Sequence, residues 1–290
     1  MHEVTLFSNS LPLIREIGHM WDDEGTSGHP DRLMENIHVF VYVKKGTIQV
    51  IEDEVEYQLN GGSYLFLRKN VPHWGNTLYS PGTEWYYIHF YDSLQQENMD
   101  ETSEYSHYQQ SSLILEATYH SHIKLPKQGK VLNPEYTELH LKKLNEDYMS
   151  PHPIRPLYLS VMTYQFFIDL YANRLEESKK TKQHRIVGKM IELFSNTASK
   201  KLSSKEIASM LGMNYAYLST LFKKETGKSI TQFQDELLIE KAITKLKKES
   251  VNISEVSNAL GFSNPFYFSR VFKKVTGVSP TIYLNQTYRN

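Results

Sequence analysis

The sequence predicts an α+β protein of two domains: an N-terminal antiparallel β-barrel with following helices, then a C-terminal all-α domain of two helix-turn-helix units. Three observations carry this. Short β-branched and aromatic runs separated by turn residues fill 37–90, and a helical unit occurs twice after residue 200. Charge also divides the chain: residues 1–178 hold 13 Lys and Arg against 25 Asp and Glu, and 179–290 hold 19 against 8, giving net charges of −12 and +11. At 290 residues, 40% apolar and 22% charged, the chain is long enough for two separate cores and is not of disordered composition.

The first runs are Ile37 to Val43 and Thr47 to Ile51, joined by Lys44-Lys45-Gly46. A third run, Ser63 to Leu67, follows the turn signal Asn60-Gly61-Gly62, and Trp85 to Phe90 closes the region. Short spacing and glycine-containing turns predict antiparallel neighbours in a compact sheet or barrel. Beyond it, Thr137, Leu141, Leu144 and Tyr148 have helical spacing, and a second helix follows the Pro151-His152-Pro153 break. Its Leu157, Val161, Tyr164, Ile168, Tyr171 and Leu175 recur at alternating intervals of four and three, the seam of a helix packed on another helix. That seam either joins two copies of the chain or covers its own sheet. The polar stretch 176–184 reads as a linker between domains 1–175 and 185–290.

In the basic half, Ile207 to Met213 matches Val256 to Phe262 at an offset of 49. After one inserted residue, Tyr217, Ser219, Phe222, Lys223, Lys224, Thr226, Gly227 and Ser229 meet identical residues at an offset of 50. Each copy opens on a capping-box spacing, Ser203 with Glu206 and Asn252 with Glu255. Gly212 and Gly261 then allow the sharp turn between two helices. The second helix of each copy starts near Asn214 or Asn264, buries Leu218, Leu221 and Phe222 or Phe268, Val271 and Phe272, and stops at Gly227 or Gly277. A further helix over 231–248, about 27 Å long at 1.5 Å per residue, separates the units. Adjacent major-groove faces lie about 34 Å apart, so one chain can address two of them.

A helix-turn-helix presents the outer face of its second helix to the major groove. The outward positions are Tyr215, Ala216, Ser219, Thr220 and Lys223 in the first unit, and Pro265, Phe266, Ser269, Arg270 and Lys273 in the second. Arg270 alone can grip guanine with a bidentate guanidinium, and the short side chains of the first unit suit thymine methyls or groove shape. The basic charge of this half supplies attraction to phosphates, while the acidic half is repelled by them.

The stretch Leu202 to Tyr283 resembles the DNA-binding domain of the AraC/XylS family of transcription regulators. The resemblance is clearest in Ala259-Leu260-Gly261-Phe262, Tyr267-Phe268-Ser269-Arg270-Val271-Phe272-Lys273-Lys274, Gly277-Val278-Ser279-Pro280 and Tyr283. It implies seven helices, double-stranded DNA as partner, and base contacts at Ala216, Ser219, Thr220, Phe266, Ser269 and Arg270. Leu238 and Leu284 stand where members of that family commonly carry arginine.

The N-terminal half resembles the cupin-like sensor domain of sugar-responsive members, through Gly61 to Leu67, Val71-Pro72-His73-Trp74-Gly75 and Trp85 to Phe90. That resemblance implies a small-molecule effector, a sugar bordered by Trp74, Tyr87 and His89, and an N-terminal arm, about residues 1–20, closing over it. Aromatic faces stack on the apolar face of a sugar, and imidazole, phenol and indole groups bond its hydroxyls. Tyr42, His73, Trp74, Trp85, Tyr87 and His89 are therefore the expected ligand contacts. The implied protein is a cytoplasmic, homodimeric, ligand-controlled regulator, an activator as the family's commoner outcome, without cofactor or catalytic site.

Two alternatives stay open. Eleven of the twelve histidines precede residue 178, which raises a metal-dependent cupin enzyme. Its expected two histidines with a glutamate a few residues later are missing, since His120 and His122 have no such glutamate and fall outside the barrel pattern. The other alternative is a regulator with no effector. The absence of cysteine excludes disulfides, thiolate metal sites and cysteine nucleophiles. No apolar run approaches a bilayer span, and Met1-His2-Glu3 does not open a secretion signal.

Overall fold

A computed structural model describes residues 3–92, 103–105, 114, 116–178, 182–197, 200–248 and 252–288. The chain divides into two units, Met1–Tyr105 with Tyr119–Glu177 and Ser178–Asn290 with Ser106–Thr118. No helix among the described residues is long and apolar enough to cross a membrane.

Unit 1 carries β1 (Val4–Phe7), β2 (Leu13–Asp22), β3 (Arg32–Leu33), β4 (Ile37–Lys45), β5 (Thr47–Glu52), β6 (Val55–Asn60), β7 (Ser63–Leu67), β8 (Pro72–Trp74), β9 (Thr83–Tyr91), β10 (Ser103–Glu104), β11 (Ser121–Leu125) and β12 (Gln128–Lys130), then α1 (Pro134–Met149) and α2 (Arg155–Ser178). A five-stranded sheet runs β12-β7-β4-β9-β2 and a four-stranded sheet runs β3-β8-β5-β6, both antiparallel. A small third sheet, β1-β11-β10, departs from the expected antiparallel pairing because β10 runs parallel to β11. The strands form these separate sheets, and no single hydrogen-bonded ring closes among the described residues, so the expected barrel is an open one.

Strand β4 shows why 37–43 lacks polar alternation: both of its faces are buried. Val39, Val41 and Val43 pack with Ile48, Val50, Leu59, Leu65 and Leu67 between the two large sheets. Phe40 and Tyr42 point the other way and join Tyr64, Phe66, Tyr86, Ile88 and Phe90 under α1 and α2. There Phe40 meets Phe166 edge-on at 5.4 Å and Phe66 meets Phe167 at 5.0 Å between ring centroids. Each such buried ring stabilises the fold by roughly 1.5–3 kcal/mol. The expected N-terminal arm is structured differently: β1 pairs with β11, and β2 pairs with β9 along its length.

The predicted helical seam splits in two. Tyr171 is buried, and Tyr164 and Leu175 pack against the core. Leu157, Val161 and Ile168 stay 61%, 48% and 37% exposed, so half of the stripe faces away from the sheet. Leu159, Phe166, Phe167 and Leu170 fill the core in their place, because a helix seated on a sheet buries a broader stripe than a coiled-coil seam.

Unit 2 is helical: α3 (Lys182–Asn196), α4 (Ser204–Leu211), α5 (Tyr215–Thr226), α6 (Ile230–Lys248), α7 (Ile253–Ala259), α8 (Pro265–Thr276) and α9 (Pro280–Tyr288). These are the seven helices expected, counted among the described residues. Both capping boxes are present, Ser203 with Glu206 and Asn252 with Glu255. Gly212 caps α4 at a φ of 64°, the left-handed conformation that the tight turn requires. The first half of α6 packs Phe233 and Leu237 on the core of α3, α4 and α5, and its second half packs Leu238, Ile239, Ala242 and Leu246 on the core of α7 and α8. Leu238 is 5% exposed and Leu284 packs on the same core, so the two departures from the family's arginines act as apolar packing. Of the expected linker 176–184, α2 extends through Ser178 and α3 starts at Lys182, while 179–181 lie outside the described residues.

Candidate nucleic-acid interface and ligand cleft

Helix α5 is launched by Asn214, whose side chain accepts from Ala216 N–H, and α8 by Asn264, which accepts from Tyr267 N–H, with Pro265 in its first turn. Both helices bury the same face. Leu218, Leu221 and Phe222 hold α5 to the first core, and Phe268, Val271 and Phe272 hold α8 to the second. The opposite faces expose Ala216, Thr220 and Lys223 on α5, and Phe266, Arg270 and Lys273 on α8. Ser219 and Ser269 are half-buried. Tyr215 is also half-buried and packs against the first core, so its ring is less free than its helical position suggested.

Phe266 is 87% exposed, the largest such fraction among the exposed large apolar side chains. A ring left in water in the first turn of the second helix of a helix-turn-helix has the apolar character that a contact with a thymine methyl requires. Lys223, Lys224, Lys273 and Lys274 fall in the last turns of the two helices, where cations both suit the helix dipole and can meet phosphates.

In unit 1 a cleft of about 410 Å³ is floored by Val39 and Val41 of β4 and Ile48 of β5, and rimmed by Trp85, Tyr87 and His89 of β9. Strand β2 adds Glu16 and Met20, and the segment before β4 adds His29 and Arg32. Tyr87 donates its hydroxyl to Glu16 Oε1 at 2.8 Å, and His89 Nδ1 stands 3.3 Å from Glu16 Oε2. Behind the rim, His29 Nε2 and His73 Nδ1 share a hydrogen bond of 2.7 Å, and Tyr79 Oη lies 3.4 Å from His29 Nδ1. The buried Nε of Arg32 has no hydrogen-bond partner among the described residues, nor has Nε2 of His89.

Burial, the His73 ring and the Arg32 guanidinium push His29 down to about 3, and burial with Arg32 pushes His73 down to about 4. Burial also lowers His89, against the opposing pull of Glu16. Burial and the bond to Glu16 push Tyr87 up to about 12. At neutral pH the cleft therefore presents neutral imidazoles and phenols beside one guanidinium and one carboxylate, a set that can bond hydroxyl groups as donor or acceptor.

Of the six expected ligand contacts, Trp85, Tyr87 and His89 line this cleft. His73 lies behind it, reached through His29. Trp74 is half-buried on β8, opposite Ile51, and is not part of the lining. Tyr42 is a correction: it sits on the helix-facing side of β4 and donates to Glu138 of α1 at 3.3 Å, because β4 turns alternate residues to opposite faces. Glu16, His29 and Arg32 escaped the sequence reading, being far from the β9 motif in the chain. The available signal was Gly18, opposite Tyr87 in the β2–β9 register, where a Cβ would stand 2.3 Å from the Tyr87 ring. No group of three or more potential metal-ligating His, Asp or Glu side chains converges among the described residues.

A family model described as "Helix-turn-helix domain" matches residues 207–286. Among curated proteins, the uncharacterized HTH-type transcriptional regulator YisR of Bacillus subtilis is 23% identical over 243 residues, 84% of each chain. The uncharacterized transcriptional regulatory protein YesN of the same organism is 38% identical over 116 residues, 39% of this chain and 32% of YesN. The raffinose operon transcriptional regulatory protein RafR of Pediococcus pentosaceus is 25% identical over 136 residues, 45% of this chain and 48% of RafR. The two capped helix-turn-helix units, the family model over 207–286 and relatives named as HTH-type transcriptional regulators together make the C-terminal unit a helix-turn-helix domain similar to those of transcription regulators.

Proposed function

We propose that a small carbohydrate bound in the cleft of unit 1 controls DNA binding by unit 2, and that the protein acts as a homodimeric, cytoplasmic activator. In this reading 1–175 is a cupin-like sensing and dimerisation domain, 176–184 the connection and 185–290 the DNA-binding domain. The observation that carries it is the cleft: an apolar floor under Trp85, Tyr87 and His89, with polar atoms of Arg32 and His89 left without partners. Such a mixture of stacking faces and convergent hydrogen-bonding groups suits a polyhydroxylated ring. The kinship with a raffinose operon regulator supports the same class of ligand. Exposed Leu157, Val161 and Ile168 on α2 supply the self-association face.

The base contacts in this reading are Ala216, Ser219, Thr220, Phe266, Ser269 and Arg270, with Tyr215 at the edge of the first face and Lys223 and Lys273 on phosphates. The sugar shifts a population, because it can act only by binding one arrangement of the protein better than another. A coupling of about 1–3 kcal/mol changes DNA occupancy roughly five- to 150-fold.

The test is calorimetric titration of the full chain with neutral mono- and disaccharides, repeated with Trp85→Ala. Site selection from random DNA then proceeds with and without the sugar that binds. Binding abolished by the substitution, with a change in DNA affinity, is the expected result. No heat with any sugar, together with a recovered DNA motif, would favour a regulator without a sugar effector.

A further inference from the structure

We propose that Lys201 is a positioning residue that locks the two reading helices at one mutual angle and thereby sets the half-site spacing the chain accepts. Lys201 lies in the loop ahead of α4, in the first helix-turn-helix unit. That loop is pinned to α6 by a buried pair of hydrogen bonds: Leu202 N–H donates to Gln234 Oε1 at 2.6 Å, and Gln234 Nε2 donates to Leu202 O at 3.2 Å. From this anchored backbone the Lys201 ammonium pairs with Asp235 of α6. It also donates to the Tyr267 hydroxyl at 3.4 Å and stands 5.5 Å from the centre of that ring. Tyr267 belongs to α8, the reading helix of the other unit, between Phe266 and the buried Phe268.

Three elements thus meet at one cation: the approach to the first unit, the connecting helix and the second reading helix. The guanidinium of Arg270 lies 5.4 Å from the centre of the same Tyr267 ring. The ring that receives Lys201 therefore also orients the side chain best suited to grip guanine. Burial opposes the charge on Lys201, yet Asp235 and Tyr267 outweigh it and hold its pKa above the ordinary lysine value. The contact is not a requirement of the helix-turn-helix itself. Tyr217, the counterpart of Tyr267 in the first copy, is 50% exposed, and no cation stacks on it among the described residues.

The consequence for reading is geometric. Each base pair of B-DNA turns the next by about 34° and advances it about 3.4 Å. Heads held at one angle cannot follow a half-site displaced by one base pair, whereas heads joined only through α6 can.

The test measures affinity of the full chain for three DNAs: the site selected by the wild-type protein, the same site with one base pair added between half-sites, and a DNA keeping only the half-site read by α5. The wild type should lose about tenfold or more on the respaced DNA, the scale of one mismatched base pair. Lys201→Met should cut that penalty to about threefold while leaving the single half-site affinity unchanged, and Lys201→Arg should restore it. Tyr267→Phe, which keeps the ring, should give an intermediate penalty, and circular dichroism verifies the fold of each variant. A uniform loss on all three DNAs, an unchanged spacing penalty in Lys201→Met, or a wild type indifferent to spacing would each overturn the proposal.

Discussion

Taking this protein from pH 7 to pH 5 should weaken unit 1 through one buried pair, His29 with His73. In the unfolded chain both imidazoles take up a proton near pH 6.5, while in the fold His29 does so at about 3 and His73 at about 4. Their folded pKa values are depressed, so the stability of the neutral pair is fully present above pH 6.5. It falls as the pH drops toward 4, because over that window the unfolded chain binds protons that the fold refuses. At pH 5 each imidazole is about 1.5 pH units below its unfolded pKa, a loss of about 2 kcal/mol per ring and about 4 kcal/mol for the pair. Urea unfolding followed by tryptophan fluorescence measures it, since Trp21, Trp74 and Trp85 all lie in unit 1 and there are only three tryptophans. The double substitution His29→Gln with His73→Gln removes both titrations. The pH 7-to-5 loss of the wild type should exceed that of the double variant by about 4 kcal/mol. Equal losses in the two proteins would refute the argument, showing that other groups carry the acid sensitivity.

Further outcomes follow from the same geometry. Arg270→Ala should relax selection at one base position by about 1–3 kcal/mol, whereas Lys273→Ala should weaken all DNA sequences alike and lower the salt slope by about one, both read from competition binding at several salt concentrations. Gly18→Val should displace the Tyr87 ring, which a Cβ would approach to 2.3 Å, and abolish calorimetric sugar binding while DNA affinity without sugar persists. Glu52→Gln leaves Lys127, only 8% exposed, without the carboxylate it pairs with, and should lower the urea stability of unit 1 by about 3–5 kcal/mol. Leu157→Glu with Val161→Glu should shift sedimentation equilibrium toward monomer, and an unchanged mass would remove α2 from the dimer interface.

Unit 2 was legible in the sequence almost residue by residue, because its signals are local. Capping residues, turn glycines and a buried stripe each fall within one helical unit, and the duplication states them twice. The cleft was legible only along β9. Glu16 and Arg32 reach it through strand pairings, Glu16 opposite His89 and Arg32 opposite His73, and no local period encodes which strands become neighbours. Tyr42 was misplaced for a related reason. A strand buried on both faces shows no polar alternation, so nothing in 37–43 distinguishes the residues facing the cleft from those facing the helices. The seam on α2 carried a true helical period but not the identity of what it covers, and half of it covers the sheet.

Strand β4 gives unit 1 a partition that works like a drumskin. Val39 and Val41 floor the cleft, and Phe40 and Tyr42, on the same stretch of backbone, lean on Phe166 and Phe167 and on Glu138 of α1. On the helix-facing side there is no slack, because Phe40 and Tyr42 are fully buried there and close-packed interiors transmit strain. Under the proposed function, a sugar seated in the cleft would press on the strand whose other face carries the packing of α1 and α2, without touching either helix.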